Sequence, residues 1–382
     1  MSYKIESKLP DATLSVFAKM TAAAIEHQAI NLAQGFPNFS PPEKLFHYLQ
    51  EGVTTGYNQY AAMPGLPALR NEISKRLESD YNHKANQDSE ITVTAGATQA
   101  IYTIISAFVK PGDKVIIFEP AYDSYGPAVR VNGGTPIYLR LELPDFKIPW
   151  TQLESILEKE KIKIILINNP HNPAGRILQK EDLDRMEKLT RSKDILLIWD
   201  EVYDLLVFDG IKHCSALEHA SLMEHSVVVF SMGKTLHNTG WKIGYSIAKP
   251  EITNEIRKLH QFMVFSVNTP AQYAIARFMQ EHNEFFKTLP EFYQQKRDFF
   301  FDQMKNTPFD FLPCEGSYFA LASYSKLSTK SDIDFAMELV EKNKVALIPI
   351  SAFYHDRFDP KLLRFCFAKT EETISEAAGR LG

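Results

Sequence analysis

The chain has 382 residues, 45% hydrophobic and 23% charged, a balance that excludes a disordered chain and leaves room for two domains around a large core. A net charge of -5 and a pI near 6.2 argue against an electrostatic hold on nucleic acid or anionic membrane, and point to small-molecule partners. Cys214, Cys314 and Cys366 lie far apart with no CxxC pair, so they read as small buried hydrophobes, and no metal site is indicated.

The opening stretch, "MSYKIESKLPDATLSVF", lacks the basic-then-apolar layout of a signal peptide, and no apolar run reaches the roughly 18 residues of a membrane span. A cytoplasmic location is therefore expected. Further on, "EITVTAG" leads into the helical "ATQAIYTIISAFVKPGD", and then come "KVIIFEP", "KIKIILINNP", "DILLIWDE" and "SVVVFSMGK". Short continuous apolar strands separated by helices predict an α/β fold with a mostly parallel sheet covered on both faces. Ligands of such sheets bind beyond the carboxyl ends of the strands, so the loops should carry the chemistry.

Four of those loops stand out. "TAGATQA" puts Gly96, Ala97 and Thr98 at a helix start, where free N–H groups and the dipole favour an anion. "NNPHNPAGR" holds Asn168, Asn169 and Asn172 among turn-fixing prolines; it is a rigid loop, or Asn172 donates to a phenolate oxygen. "DILLIWDEVY" runs into Asp200, with Tyr203 beyond; the aspartate caps a helix, or it holds a pyridine nitrogen in its protonated state. In "SMGKTLHNTGWKIG", Lys234 alone would be a surface charge. Beside Ser231, Lys242 and glycines that let backbone approach a ligand, it belongs to a phosphate-like site.

"EKEKIKI" reads as a solvated charge run leading into a strand. After about Thr269 the pattern turns to long helical stretches followed by "GSYFALAS" and "LLRFCFAK", which predicts a second, smaller α+β domain. The aromatic "RDFFFDQM" is helix core, and His171 and His237 read as satisfied loop histidines.

Taken together, "NLAQGFPNF", "NQYAAMPGLPALR", "TAGATQA", "EPAYDSY", "NNPHNPAG", "DEVY", "SMGKT", "GWKIG" and "LRFCFAK" stand in an order that resembles the class I and II aminotransferases, pyridoxal-phosphate enzymes of fold type I. "QGFPNF", "NNPHNPAG" and the lysine of "GWKIG" are most similar to the methionine and kynurenine aminotransferase branch. The resemblance implies a large domain with a mostly parallel seven-stranded sheet, aspartate aminotransferase-like, plus a smaller α+β domain. The expected divisions are an N-terminal segment over 1–40 closing over the active site, a large cofactor-binding domain over 41–270 and a small domain over 271–382.

It also implies roles. Lys234 would hold pyridoxal 5'-phosphate as a Schiff base and then shuttle a proton, making it catalytic together with Asp200 and Tyr203. Ala97, Thr98, Ser231 and Lys242 would bind the phosphate, with Lys242 a point charge where many relatives have arginine. Tyr122 would stack on the ring, Asp200 pair with its nitrogen, and Asn172 and Tyr203 bond its phenolic oxygen. Tyr60 would reach the neighbouring subunit's phosphate, which implies a homodimer with shared sites. Arg364 would clamp the substrate's α-carboxylate, and Gly35 would let the N-terminal segment close.

Facing the substrate side chain would be Phe17, Phe36, Tyr318 and, from the other subunit, Met263 and Phe265. An apolar wall without arginine favours methionine, phenylalanine, tyrosine, kynurenine or glutamine as amino donor over aspartate. The alternative is that Lys19 or Arg297 swings in to meet an acidic substrate. Rival readings of the whole chain are a carbon–sulfur β-lyase on the same scaffold and a regulatory protein without turnover.

Overall fold

The computed structural model describes residues 4–11 and 14–382. Its strands are β1 (Ile30–Asn31), β2 (Ile91–Thr94), β3 (Lys114–Glu119), β4 (Thr135–Arg140), β5 (Ile162–Asn168), β6 (Leu196–Asp200), β7 (Ser226–Ser231), β8 (Gly244–Ala248), β9 (Asp310–Phe311), β10 (Phe319–Ser323), β11 (Val345–Ala346), β12 (Ile348–Pro349) and β13 (Leu362–Cys366). Seven of them form one sheet in the order β2-β8-β7-β6-β5-β3-β4, in which β8 alone runs against its neighbours.

The apolar runs are continuous because both faces of this sheet are buried. Val115 and Ile117, Ile164 and Leu166, Val227 and Val229 enter one core, while Ile116 and Phe118, Ile165 and Ile167, Val228 and Phe230 enter the other. Burying each such side chain is worth about 1.5–3 kcal/mol. The carboxyl ends of β2, β3, β5, β6 and β7 therefore all open on one edge. Reversed β8 starts there, just after Lys242.

A second, antiparallel sheet has the order β12-β13-β10-β9, and β1 pairs in parallel with β11. The smaller α+β domain is thus present, and the N-terminal segment is joined to it. The division expected at residue 270 falls inside the helix Thr269–Glu281, which packs on Glu43–Thr54 and Pro67–Tyr81 instead of on the second sheet. Among the described residues no helix is long and apolar enough to cross a membrane. The three cysteines are free; Cys314 and Cys366 are buried as expected, while Cys214 is only half-buried.

Candidate active site

A cavity of about 370 Å³ lies where the sheet edge meets the second sheet. Gly35, Ala97, Thr98, Tyr122, Asn172, Asp200, Tyr203, Ser231, Lys234, Lys242, Phe17 and Arg364 all line it.

Each arrives by a local cause. Gly96, at φ +81, caps the helix Ala97–Phe108 and turns the first N–H groups toward the cavity. A Cβ on Gly96 would stand 3.2 Å from the Lys242 ammonium, so the cation and the helix start converge on one point. Ser231 ends β7, and Lys234 sits in the single helical turn that follows. In the asparagine loop, Asn168 accepts from the Asn172 N–H (2.7 Å) and donates to the Asp200 carbonyl (2.8 Å), which ties two strand ends together.

Lys234 Nζ donates to the Tyr318 hydroxyl (3.0 Å) and the Gly35 carbonyl (3.3 Å); Tyr318 itself donates to Gly35 at 2.6 Å. Burial, with the Arg364 and Lys242 charges adding to it, lowers the amine to about 8, so a sizeable fraction is an uncharged nucleophile at mildly alkaline pH. Gly35 makes this approach possible, since a Cβ there would meet the Phe319 ring at 2.6 Å.

Asp200 is buried and accepts a hydrogen bond from the Tyr125 hydroxyl. Burial raises its carboxyl to about 6, against the pull of Tyr125, the Val202 N–H and Lys234. Such a carboxylate is stabilised by a cationic N–H partner.

Arg364, on β13 opposite Leu321, is buried and stacks 3.8 Å over the Phe319 ring, with Phe17 and Phe353 at 5.3 and 5.1 Å. Nη1 donates to Asn172 Oδ1 (2.8 Å) and Nη2 to the Ala33 carbonyl (2.9 Å). Its Nε is buried without a partner among the described residues, and burial lowers the group to about 10. A guanidinium on the cavity wall with donor capacity left over fits a carboxylate ligand.

Other expected residues lie elsewhere. Tyr318 stands behind Lys234. Phe36 turns outward under the Lys369 ammonium (4.8 Å). Tyr60 is 81% exposed and packs edge-on against Phe265 (5.4 Å), which with Met263 lies at the surface outside this cavity. Arg297 cannot swing in, because Asp209 holds it by two bonds of 2.6 and 2.7 Å; Lys19 is not on the cavity wall.

His171 is satisfied by the Pro120 carbonyl, but His237 is not a satisfied histidine. Its Nε2 has no partner among the described residues, and it sits among Phe39, Phe285, Phe292 and Tyr293, where burial lowers it to about 4. The sequence reading missed Tyr125, Asp123 and Gln34. Tyr125 and Asp123 stand within "EPAYDSY" and Gln34 within "NLAQGFPNF", but nothing in the sequence marks which cavity group each meets.

This donor set fits pyridoxal 5'-phosphate. A helix start, a hydroxyl and a lysine suit its phosphate, the buried carboxylate suits its ring nitrogen, and the amine suits its aldehyde.

An α/β fold with this site is the architecture of the class I and II aminotransferases. Residues 27–381 match the family model for aminotransferase class I and II, and the chain belongs to that family. It is 44% identical over 376 residues to a methionine aminotransferase of Escherichia coli, covering 98% of this chain and 97% of that one. A kynurenine–oxoglutarate transaminase of Mus musculus is 30% identical over 400 residues, with 96% and 94% covered. The solved structure of an Escherichia coli methionine aminotransferase superposes with a TM-score of 0.97 over 100% of this chain and 99% of that one. An N-succinyldiaminopimelate aminotransferase from Mycobacterium tuberculosis, 31% identical, gives 0.93 over 99% of each. The reaction is transfer of an amino group from an amino acid to a 2-oxo acid.

Proposed function

We propose that the amino donor is a hydrophobic or sulfur-containing amino acid, methionine first, with aromatic amino acids, kynurenine and glutamine also accepted. The observation that carries this is the cavity wall: among the described residues Arg364 is the only arginine on it, and Phe17 and Phe319 lie beside that guanidinium. With Arg364 taken by the α-carboxylate, a side-chain carboxylate would be desolvated without a cation, whereas a thioether or ring gains from the apolar surface. The relatives named for methionine and kynurenine point the same way.

Pyridoxal 5'-phosphate, when bound, supplies the electron sink for the bond broken at the substrate's Cα. Ser231, Lys242 and the Ala97 and Thr98 N–H groups would hold its phosphate. Tyr122 would cover the ring, Asp200 would keep the ring nitrogen protonated, and Asn172 and Tyr203 would bond the ring oxygen. Arg364 orients the substrate, and Lys234 takes the proton from Cα. The working unit is a homodimer in which Tyr60 and Phe265 of each subunit serve the other's site; their exposure outside their own cavity supports this.

Donor kinetics with a single 2-oxo acid test the reading. Methionine is expected to exceed aspartate in kcat/KM, and the reverse order overturns it.

A further inference from the structure

Five charged side chains line the cavity: Asp123, Asp200, Lys234, Lys242 and Arg364. Four have work there. Asp200 is engaged by Tyr125, Lys234 by Tyr318 and Gly35, and Arg364 by Asn172 and Ala33, while Lys242 stands over the phosphate-binding helix start. Asp123 is left over. Its carboxylate accepts from its own backbone N–H, no donor or ion pair of another described residue reaches it, and the residue is exposed to solvent on a wall shared with Ser15, Phe17, Gln34 and Arg364. Partial loss of solvation raises its carboxyl, while the Arg364 guanidinium and its own backbone N–H pull the other way, and both side chains line the same cavity.

We propose that Asp123 reads the donor's side chain, repelling side-chain carboxylates and accepting a hydrogen bond from side chains that carry an N–H. This inference rests on the aminotransfer reading and deepens it. Once Arg364 holds the α-carboxylate and Lys242 the phosphate, Asp123 is the one charge on the wall without a partner from another described residue. A second carboxylate brought beside it meets like charge, screened in part by the solvent to which Asp123 is exposed. An amide, an aniline or an imidazole instead offers a donor to a carboxylate that no other residue's side chain occupies. The absence of a second arginine makes acidic donors poor by omission, and Asp123 makes them poor by repulsion. It is also what distinguishes glutamine from glutamate, which differ only in that side-chain group.

The test uses the holoenzyme and reads ratios of kcat/KM with one 2-oxo acid. In Asp123→Asn, which keeps the shape and removes the charge, the glutamate-to-methionine ratio should rise about ten-fold, the effect of about 1.4 kcal/mol. The glutamine-to-glutamate ratio should fall in parallel. Asp123→Glu should restore discrimination against glutamate, and Asp123→Ser should shift the ratios with the same sign as the asparagine variant, so the result does not hang on one protein's folding. Unchanged ratios, or an equal loss for every donor, overturn the inference. The preference of the wild-type enzyme between methionine and aspartate judges the proposed function separately, because the variants are compared by how the ratio moves and not by which donor is best.

Discussion

Arg364 Nη1 donates to Asn172 Oδ1 at 2.8 Å, joining the guanidinium proposed to hold the substrate to the amide proposed to bond the cofactor ring. Arg364 comes from β13 and Asn172 from the loop after β5, so this bond crosses from one sheet to the other. It also fixes the amide: with Oδ1 occupied by the guanidinium, Nδ2 remains as the donor toward a ring oxygen. On the proposed roles, this bond would couple the grip on the substrate to the grip on the cofactor.

Asn172→Ala should weaken both. A hydrogen bond to a charged group is worth about 1.5–3 kcal/mol, so kcat/KM for methionine should fall roughly 10- to 100-fold, with a matching rise in the cofactor's dissociation constant. Arg364→Lys should fall at least as far in kcat/KM while leaving cofactor affinity less affected, because a point charge cannot reproduce the planar fork. Cofactor titration beside steady-state kinetics separates the two. A variant of Asn172 that lost only one grip would show that the bond does not couple them.

Asp200 carries a cost in the cofactor-free protein. Its folded carboxyl lies at about 6 against an unfolded value of 3.8, so the native state holds the proton more tightly than the unfolded state. Stability from this group is present below pH 3.8 and is lost as pH rises through about 6, at most about 3 kcal/mol. Asp200→Asn apoenzyme should therefore be more stable than wild type at pH 7 and show no such loss between pH 4 and 6, in urea melts. Its turnover should collapse, because a neutral amide no longer holds the ring nitrogen's proton.

Both residues show what the sequence could and could not tell. Asp200 was legible because a continuous apolar strand runs straight into it, and the same run-then-loop pattern marked Ala97, Asn172 and Ser231. Tyr125, its hydrogen-bond partner, sits 75 residues away, and the Arg364–Asn172 bond spans 192. No spacing rule reports such pairs. Helical periodicity announces a buried face and not its partner, which is why Thr269–Glu281 read as the start of the small domain although it packs on helices of the large one. Phe36 and His237 failed for a related reason: composition says that an aromatic is placed somewhere, and tertiary packing decides whether it faces the cavity, the surface or other rings.

Lys234 should capture the cofactor with a pH dependence set by its burial. Because the amine lies near 8, the rate at which apoenzyme takes up pyridoxal phosphate should rise with pH to about 8 and level off above, followed by absorbance. A rise continuing toward 10.5 would mean that an ordinary exposed lysine is reacting. Borohydride should then fix the pyridoxyl group to the peptide containing Lys234, and Lys234→Ala should fold normally but not turn over. Label on another lysine would contradict the assignment.

The last prediction concerns Tyr60, which does not reach the cavity of its own chain. It is 81% exposed, with the Phe265 ring edge-on at 5.4 Å and the strongly exposed Phe262 and half-exposed Met263 a few residues away on the chain. A tyrosine and a phenylalanine clustered at the surface cost free energy unless something covers them, and a second copy of the chain would cover them while bringing Tyr60 to the other phosphate site. If so, Tyr60→Ala and Lys234→Ala subunits are each inactive as pure dimers, for different reasons. In a hybrid, one site takes its lysine from the first chain and its tyrosine from the second and is whole, while the other site lacks both. Random exchange of equal amounts makes half the dimers hybrid, so the mixture should recover about a quarter of the wild-type activity. Differently tagged subunits and native mass measurement would establish that exchange took place. Hybrids that form and stay inactive would place Tyr60 at an interface without a share in the neighbouring site.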